Sequence, residues 1–127
     1  MTRIFGKVIV CIYLFLIVLI SCKKSNVLPD PLEAGWKGKS VCEVVQETDK
    51  LRVLKCTFKP GIGHEKHYHR PHIGYTLQGS MFQIKDVKGI RKVNVATGSS
   101  FSNDTVSQHE VINIGDSTAV FLIFESK

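Results

Sequence analysis

An all-β domain of about 90 residues, built as a sandwich or a closed barrel, is the fold class this sequence predicts. Short runs rich in β-branched and aromatic residues recur between Ser40 and Phe124. Turn-forming pairs separate them at even spacing: Pro60-Gly61, Gln78-Gly79, Lys88-Gly89, Thr97-Gly98 and Gly115-Asp116. No window carries an apolar stripe with a 3.6-residue period. At 127 residues, 43% of them hydrophobic, the chain has material for one core and no more.

The first segment stands apart from that core. Met1 to Lys7 carries Arg3 and Lys7 and no acid, and Val8 to Ile20 is thirteen residues without a charge. A basic start followed by an apolar run too short to span a bilayer comfortably reads as a secretory leader. The run ends in Leu19-Ile20-Ser21-Cys22. This resembles the bacterial lipobox: an aliphatic residue, a tolerant position, a small residue, then cysteine. The resemblance implies a signal peptide over residues 1–21, a mature chain starting at Cys22, and diacylglycerol on the Cys22 thiol. Each buried methylene contributes about 0.8 kcal/mol, so two or three acyl chains anchor stably where one does not. The expected address is the bacterial cell envelope, anchored by lipid. Lys23 stands where some bacteria place an aspartate for inner-membrane retention, which points to the outer membrane.

Charge patterning narrows the partners. The net charge of +6 falls to +4 over the 106 residues left after the leader, because the leader removes two basic residues and no acidic ones. The remaining charges are scattered. No basic stripe with interleaved aromatics appears, so nucleic acid is not an expected partner. Lys23-Lys24 would lie beside the lipid, either against anionic head groups or as part of a solvated tether.

Residues 22–37 read as that tether, polar and interrupted by Pro29 and Pro31. Residues 38–127 form the domain. Strands are expected near Ser40–Glu47, Leu51–Phe58, Ile73–Leu77, Met81–Asp86, Ile90–Val95, Gln108–Ile112 and Ala119–Phe124. Cys42 and Cys56 lie symmetrically about Asp49. A hairpin centred there would set them face to face, so a disulfide is geometrically open in an oxidising compartment. Two small apolar residues packed in the core are the other reading.

All five histidines fall in two places. Four lie in Gly63-His64-Glu65-Lys66-His67-Tyr68-His69-Arg70-Pro71-His72, and the fifth is His109. Side chains two apart on an extended strand share a face, so His67 and His69 can reach one ion. Imidazole suits iron, zinc, nickel, manganese or copper as a divalent ion. A third ligand must come from elsewhere in the chain, and His109 is the distant histidine.

The spacing around these histidines resembles the cupin family. The first cupin motif has a glycine, five residues, His-x-His, an acidic residue four or five positions on, and a later glycine. Here Gly61, His67-Tyr68-His69 and Gly79 hold those places. The second motif spaces glycine, proline, histidine and asparagine by five, four and three residues. Gly98, Asp104, His109 and Asn113 fall in that register, with Asp104 replacing the proline. The resemblance runs from Ser40 to Phe124 and implies a single-domain jelly-roll barrel with a metal on His67, His69 and His109. It also implies dimerisation through barrel edges, which would cover exposed edge strands.

One departure bears on the chemistry. The acidic ligand expected near Ile73 or Gly74 is absent, and His72 lies just before that position and can take its place. Pro71 disfavours helical backbone at Arg70, so strand parity does not carry through to His72. His64 and Glu65 are expected in a polar approach loop. Tyr75, Phe82, Gln83 and Phe101 are candidates for lining a pocket, about half of them pointing inward. Asn113, Gly79 and Gly98 are expected to shape turns.

An all-imidazole site leaves a divalent ion more electropositive than one sharing a carboxylate, favouring anionic ligands or ones that chelate through oxygen. No Ser-His-Asp or Cys-His set and no phosphate-binding glycine loop appears. The resemblance implies a small metalloenzyme, oxygenase-like or isomerase-like, acting on a small molecule. The alternatives are a module that binds a small ligand or metal without turnover, and a purely structural barrel. Tyr68, Tyr75 and Glu65 are the candidate proton donors for the enzyme reading.

Overall fold

In the computed structural model, residues 27–127 are described. The leader, the lipobox and Cys22 lie outside them. Nine strands follow in order: β1 (Cys42–Glu47), β2 (Leu51–Phe58), β3 (Gly63–His69), β4 (His72–Gln78), β5 (Ser80–Asp86), β6 (Gly89–Val95), β7 (Ser100–Asn103), β8 (Ser107–Asn113) and β9 (Ala119–Ser126). There is no helix among the described residues. The strands form a five-stranded sheet, β1-β2-β9-β4-β7, facing a four-stranded sheet, β3-β8-β5-β6, with every pairing antiparallel. The expected all-β class holds, and the architecture is a jelly roll.

Two strands were absent from the sequence-based set. β3 is polar along most of its length, Gly-His-Glu-Lys-His-Tyr-His, and β7 has four residues, Ser-Phe-Ser-Asn. Neither offers the alternation of apolar and polar residues that marks a half-buried strand.

Alternation elsewhere sets the interior. On β2, Arg52, Leu54, Cys56 and Phe58 are buried, and on β9 Ala119, Phe121, Ile123 and Glu125 are. Phe58, Phe82 and Phe121 meet edge to face with ring centroids 5.5–5.9 Å apart, filling one end of the barrel. Asn113 seals that end. Its amide donates to the carbonyls of Phe58 (2.9 Å) and Ser117 (2.8 Å), and its oxygen accepts from Ser80 Oγ and the Gly115 N–H. Asn113 thus shapes the β8–β9 turn. Gly98 turns with φ of 80°, a left-handed conformation that glycine adopts without cost.

The stretch read as a free tether is packed over its described part. Asp30 accepts from the Leu32 and Glu33 amides and pairs with Arg52 at 2.9 Å. Pro29 and Gly35 carbonyls accept from the Tyr68 and Glu65 N–H groups, at 3.1 and 2.8 Å. Residues 29–36 therefore form a strap along the free edge of β3, with Pro31 and Ala34 buried beneath it. An open strand edge attracts such cover because its N–H and C=O groups otherwise lack partners. The Trp36 ring packs where a Cβ on Gly63 would stand.

Cys42 and Cys56 are disulfide-bonded and directly opposite in the β1–β2 register. The facing arises differently from the symmetry about Asp49. Near the turn, Glu47 pairs with Arg52, which centres the hairpin between Asp49 and Lys50. A one-residue irregularity between Val44 and Gln46 then shifts the register and brings the cysteines level. The link closes a loop of sequence separation 14, for which chain entropy gives about 3 kcal/mol. Reduction is expected to lower the unfolding free energy by about that amount in denaturant titrations with and without reductant. An unchanged midpoint would show that the link contributes nothing.

Candidate metal centre

The histidines sit where the two sheets part. The β3–β8 pairing places His67 opposite His109 and His69 opposite Ser107. Opposed residues share a face of the sheet, so all three imidazoles enter the interior together. Their ring centroids lie 4.7–5.1 Å apart, and one ligating nitrogen from each falls within 4.8 Å of the other two.

Hydrogen bonds fix which nitrogen faces the centre. His67 Nδ1 donates to the Glu65 carbonyl at 2.7 Å, leaving Nε2 with a free lone pair. His69 Nδ1 donates to the Glu125 carboxylate at 3.3 Å, leaving its Nε2 similarly turned inward. These two Nε2 atoms face each other at 2.9 Å. Two lone pairs at that distance repel. A positive charge between them, a proton on one ring or a metal ion shared by both, makes the contact attractive. Nitrogens each about 2.05 Å from one ion stand about 2.9–3.3 Å apart for right-angle to tetrahedral geometry, so the spacing fits a divalent metal.

Burial keeps His67 and His109 neutral, as metal ligation requires. It pushes His67 down to about 2 and His109 down to about 3, with nearby imidazoles adding repulsion. His72 is also lowered, by burial first, against a hydrogen bond to the Arg70 carbonyl, with the nearby His69 imidazole adding to the lowering. His72 lies outside the set within 4.8 Å. Its ring is 4.8 Å from that of His69, and Nδ1 donates to the Arg70 carbonyl at 2.8 Å, leaving Nε2 unprotonated.

At the two positions where the resemblance expects an acid, Ile73 points outward, 57% exposed. Gly74 points inward, but the Phe101 ring occupies the space a Cβ would need. A carboxylate is nevertheless present one step back. Glu125, fully buried, accepts from His69 Nδ1, from Arg52 Nε at 2.7 Å and from the Arg70 N–H at 2.9 Å. Burial alone would raise its pKa, but these donors outweigh it and hold the carboxyl below the ordinary value. Sequence reasoning passed over Glu125. The available signal was an acid in phase with the inward Ala119, Phe121 and Ile123 of an alternating strand.

His64 corrects an expectation. The approach loop is the start of β3, and His64 is 2% exposed, its Nε2 donating to the Pro31 carbonyl at 3.1 Å. A register shift between His64 and His67 turns both rings inward despite their odd spacing, and they stack with centroids 3.8 Å apart. Burial lowers His64 to about 4. Glu65 points outward and accepts from the Lys37 N–H.

A cavity of about 760 Å³ opens beside the imidazoles. Phe82 and Phe101 line it, as do Ile84, Val93, Phe121 and Ile123. Tyr75 and Gln83 do not. Alternation turns Tyr75 outward on β4, 42% exposed, and sends Gln83 to the opposite face from Phe82. Tyr68 and Glu65 are likewise not among the lining residues. The acid that does line the cavity is Asp86, paired with Arg91 at 2.8 Å.

No family model matches this sequence, and no curated protein matches it. Solved structures do match its shape. A cupin domain from Bordetella pertussis Tohama I superposes with TM-score 0.64 at 20% identity, covering 81% of this chain and 99% of that one. The polyketide cyclase RemF from Streptomyces resistomycificus gives 0.60 at 19% identity, covering 80% and 74%. A predicted oxalate decarboxylase from Thermotoga maritima gives 0.53 at 17% identity, covering 68% and 79%. These likenesses define the fold as a cupin-type jelly-roll barrel. A histidine triad able to hold a metal lies inside it.

Glu125→Gln keeps the shape of the side chain and removes the charge that orients His69. It is expected to weaken metal retention by about 10- to 100-fold in chelator competition while the barrel stays folded. Unchanged affinity would show that His69 is oriented without it.

Proton linkage gives a second expectation. The lowered values of His64, His67 and His109 lie below the unfolded value near 6.5, so the unfolded chain binds more protons in acid. Stability of the metal-free protein is therefore expected to fall as pH drops from about 6.5 toward 4, by up to about 1.4 kcal/mol per ring per unit. Melting curves between pH 7.5 and 5 measure it; a flat profile would mean the rings are not held neutral.

Proposed function

We propose that this chain is a lipid-anchored protein of the bacterial envelope whose barrel binds a divalent metal through His67, His69 and His109. His72 serves as the fourth ligand. The observation that carries the metal reading is the facing of the His67 and His69 Nε2 atoms at 2.9 Å, each on a ring whose Nδ1 donates elsewhere. When bound, the metal supplies Lewis-acid or redox chemistry to a ligand in the adjoining cavity. The chain's own residues supply the rest. Glu125 and the Glu65 carbonyl set the ring orientations, and Phe82, Phe101 and Phe121 exclude water from the inner wall.

The ligand class follows from charge and shape. The triad contributes no negative charge, and Lys88 and Arg91 stand against the single acid Asp86 among the lining residues. A small anionic molecule, or one that chelates through oxygen and carries an apolar body, suits that surface. Turnover in the manner of an oxygenase or isomerase is the preferred reading, supported by the polyketide cyclase and the predicted oxalate decarboxylase that share the barrel. One observation favours binding without turnover. Neither tyrosine nor glutamate lines the cavity, and the one lining acid, Asp86, is kept ionised by Arg91, so no lining carboxyl or phenol can donate a proton.

Full-length protein purified without a histidine tag is expected to carry about one equivalent of iron, nickel, manganese, copper or zinc and to melt lower in chelator. His109→Ala is expected to lose the metal and keep the fold. Protein that holds no metal, with the same melting point in chelator, would remove the reading. Metal retained by the variant would remove His109 from the site.

A further inference from the structure

The chain enters its barrel at the open end of the cavity. The Pro29 carbonyl accepts from the Tyr68 N–H, and Asp30 pairs with Arg52, both beside the level of His69. From there the strap runs away from the rim, through Gly35 against Glu65, to Trp36 against Gly63. The β5–β6 turn and the β7–β8 loop form part of the same rim and of the cavity wall.

That rim is unusually apolar at its tips. Val87 in the β5–β6 turn is 83% exposed and Val106 in the β7–β8 loop 65%, and Val27, two residues before Pro29, is 76%. These are the three most exposed large apolar side chains among the described residues. Single exposed valines are ordinary, but their collection at one end is not. Around the β8–β9 turn at the opposite end, Met81 and Ile114 are 38% and 40% exposed. Lys88 lies next to Val87 in the same turn, a side chain suited to phosphate head groups.

Chain length selects the occupant. Cys22 is seven residues before Pro29, a reach of at most about 25 Å when extended. The eight-residue strands β2 and β9 are themselves about 26 Å long. A chain held at Cys22 delivers the rim to the bilayer directly, whereas the far end would need the whole tether to run back along the barrel.

We propose that the open end of the barrel, through Val87 and Val106, rests on the phospholipid surface that holds the acyl anchor of Cys22. This rests on the lipid-anchor reading above. The imidazoles are then reached from the membrane interface, by molecules that partition there, rather than from the bulk.

Mature protein with Cys42 and Cys56 paired and Cys22 acylated has no free thiol, so one added cysteine can be labelled alone. The full chain is produced in a bacterial envelope and reconstituted into phosphatidylethanolamine–phosphatidylglycerol vesicles. Val87→Cys, Val106→Cys and Asp116→Cys each carry a polarity-sensitive fluorophore, Asp116 being exposed in the turn at the far end. Labels at 87 and 106 are expected to shift to the blue and to be quenched by brominated lipid, and the label at 116 to do neither. If protein floats with the vesicles but 87 and 106 do not respond, or all three respond alike, the orientation is wrong and the anchor stands. If protein does not float with the vesicles, the anchor reading fails and the orientation with it.

Discussion

His67 and His69 each carry their ring proton on the nitrogen that points away from the centre, because each has an acceptor there: a backbone carbonyl for one and a carboxylate for the other. That leaves two lone pairs aimed at one point, with His109 brought to the same place by strand pairing. Everything distinctive in the interior follows from the need to make this arrangement tolerable. Burial keeps His67 and His109 neutral, and a neutral imidazole can accept a metal ion. The aromatic residues that pack the other end of the barrel stop short of them, and the remaining space is the cavity.

Holding the second ring in place takes a chain of buried charge that reaches the protein surface. His69 leans on Glu125, Glu125 is held by Arg52, and Arg52 is held in turn by Asp30 in the strap. Taking such charges out of water is costly, and the series is tolerable because each member has a partner. Arg52 is the joint of the series: it pairs with Glu125 and with Asp30, so losing either acid still leaves it one partner. The strap is thereby more than a cover for the edge of β3. Its docking and the orientation of the His69 ring are linked through three side chains, Asp30, Arg52 and Glu125.

Much of the fold was legible along the chain. The seven expected strands all exist, within a few residues of their expected ends; β2, β4 and β9 bury one face and so alternate, while β1 and β6, largely exposed, were marked by β-branched residues between turn signals. β3 and β7 escaped notice because their inward residues are polar or aromatic groups serving the cavity rather than a core. Two inward facings depend on strand irregularities that periodicity does not announce. The cysteines face each other because of a shift between Val44 and Gln46, and His64 turns inward because of another before His67. Tyr75 and Gln83 went to the outer face by ordinary alternation, which fixes that inward and outward residues exist but not which set is which.

The sequence by itself determined the all-β class, the strand positions and the spacing that brings His-x-His and a later histidine into consideration. These depend on local periodicity and turn chemistry, which act over a few residues. Only the tertiary structure decided that His67 opposes His109, that Glu125 and Arg52 stand behind His69, that Phe101 fills the place beside Gly74, and that the strap enters at the cavity rim. Each of those joins residues far apart along the chain, and it is the register between paired strands that brings them together.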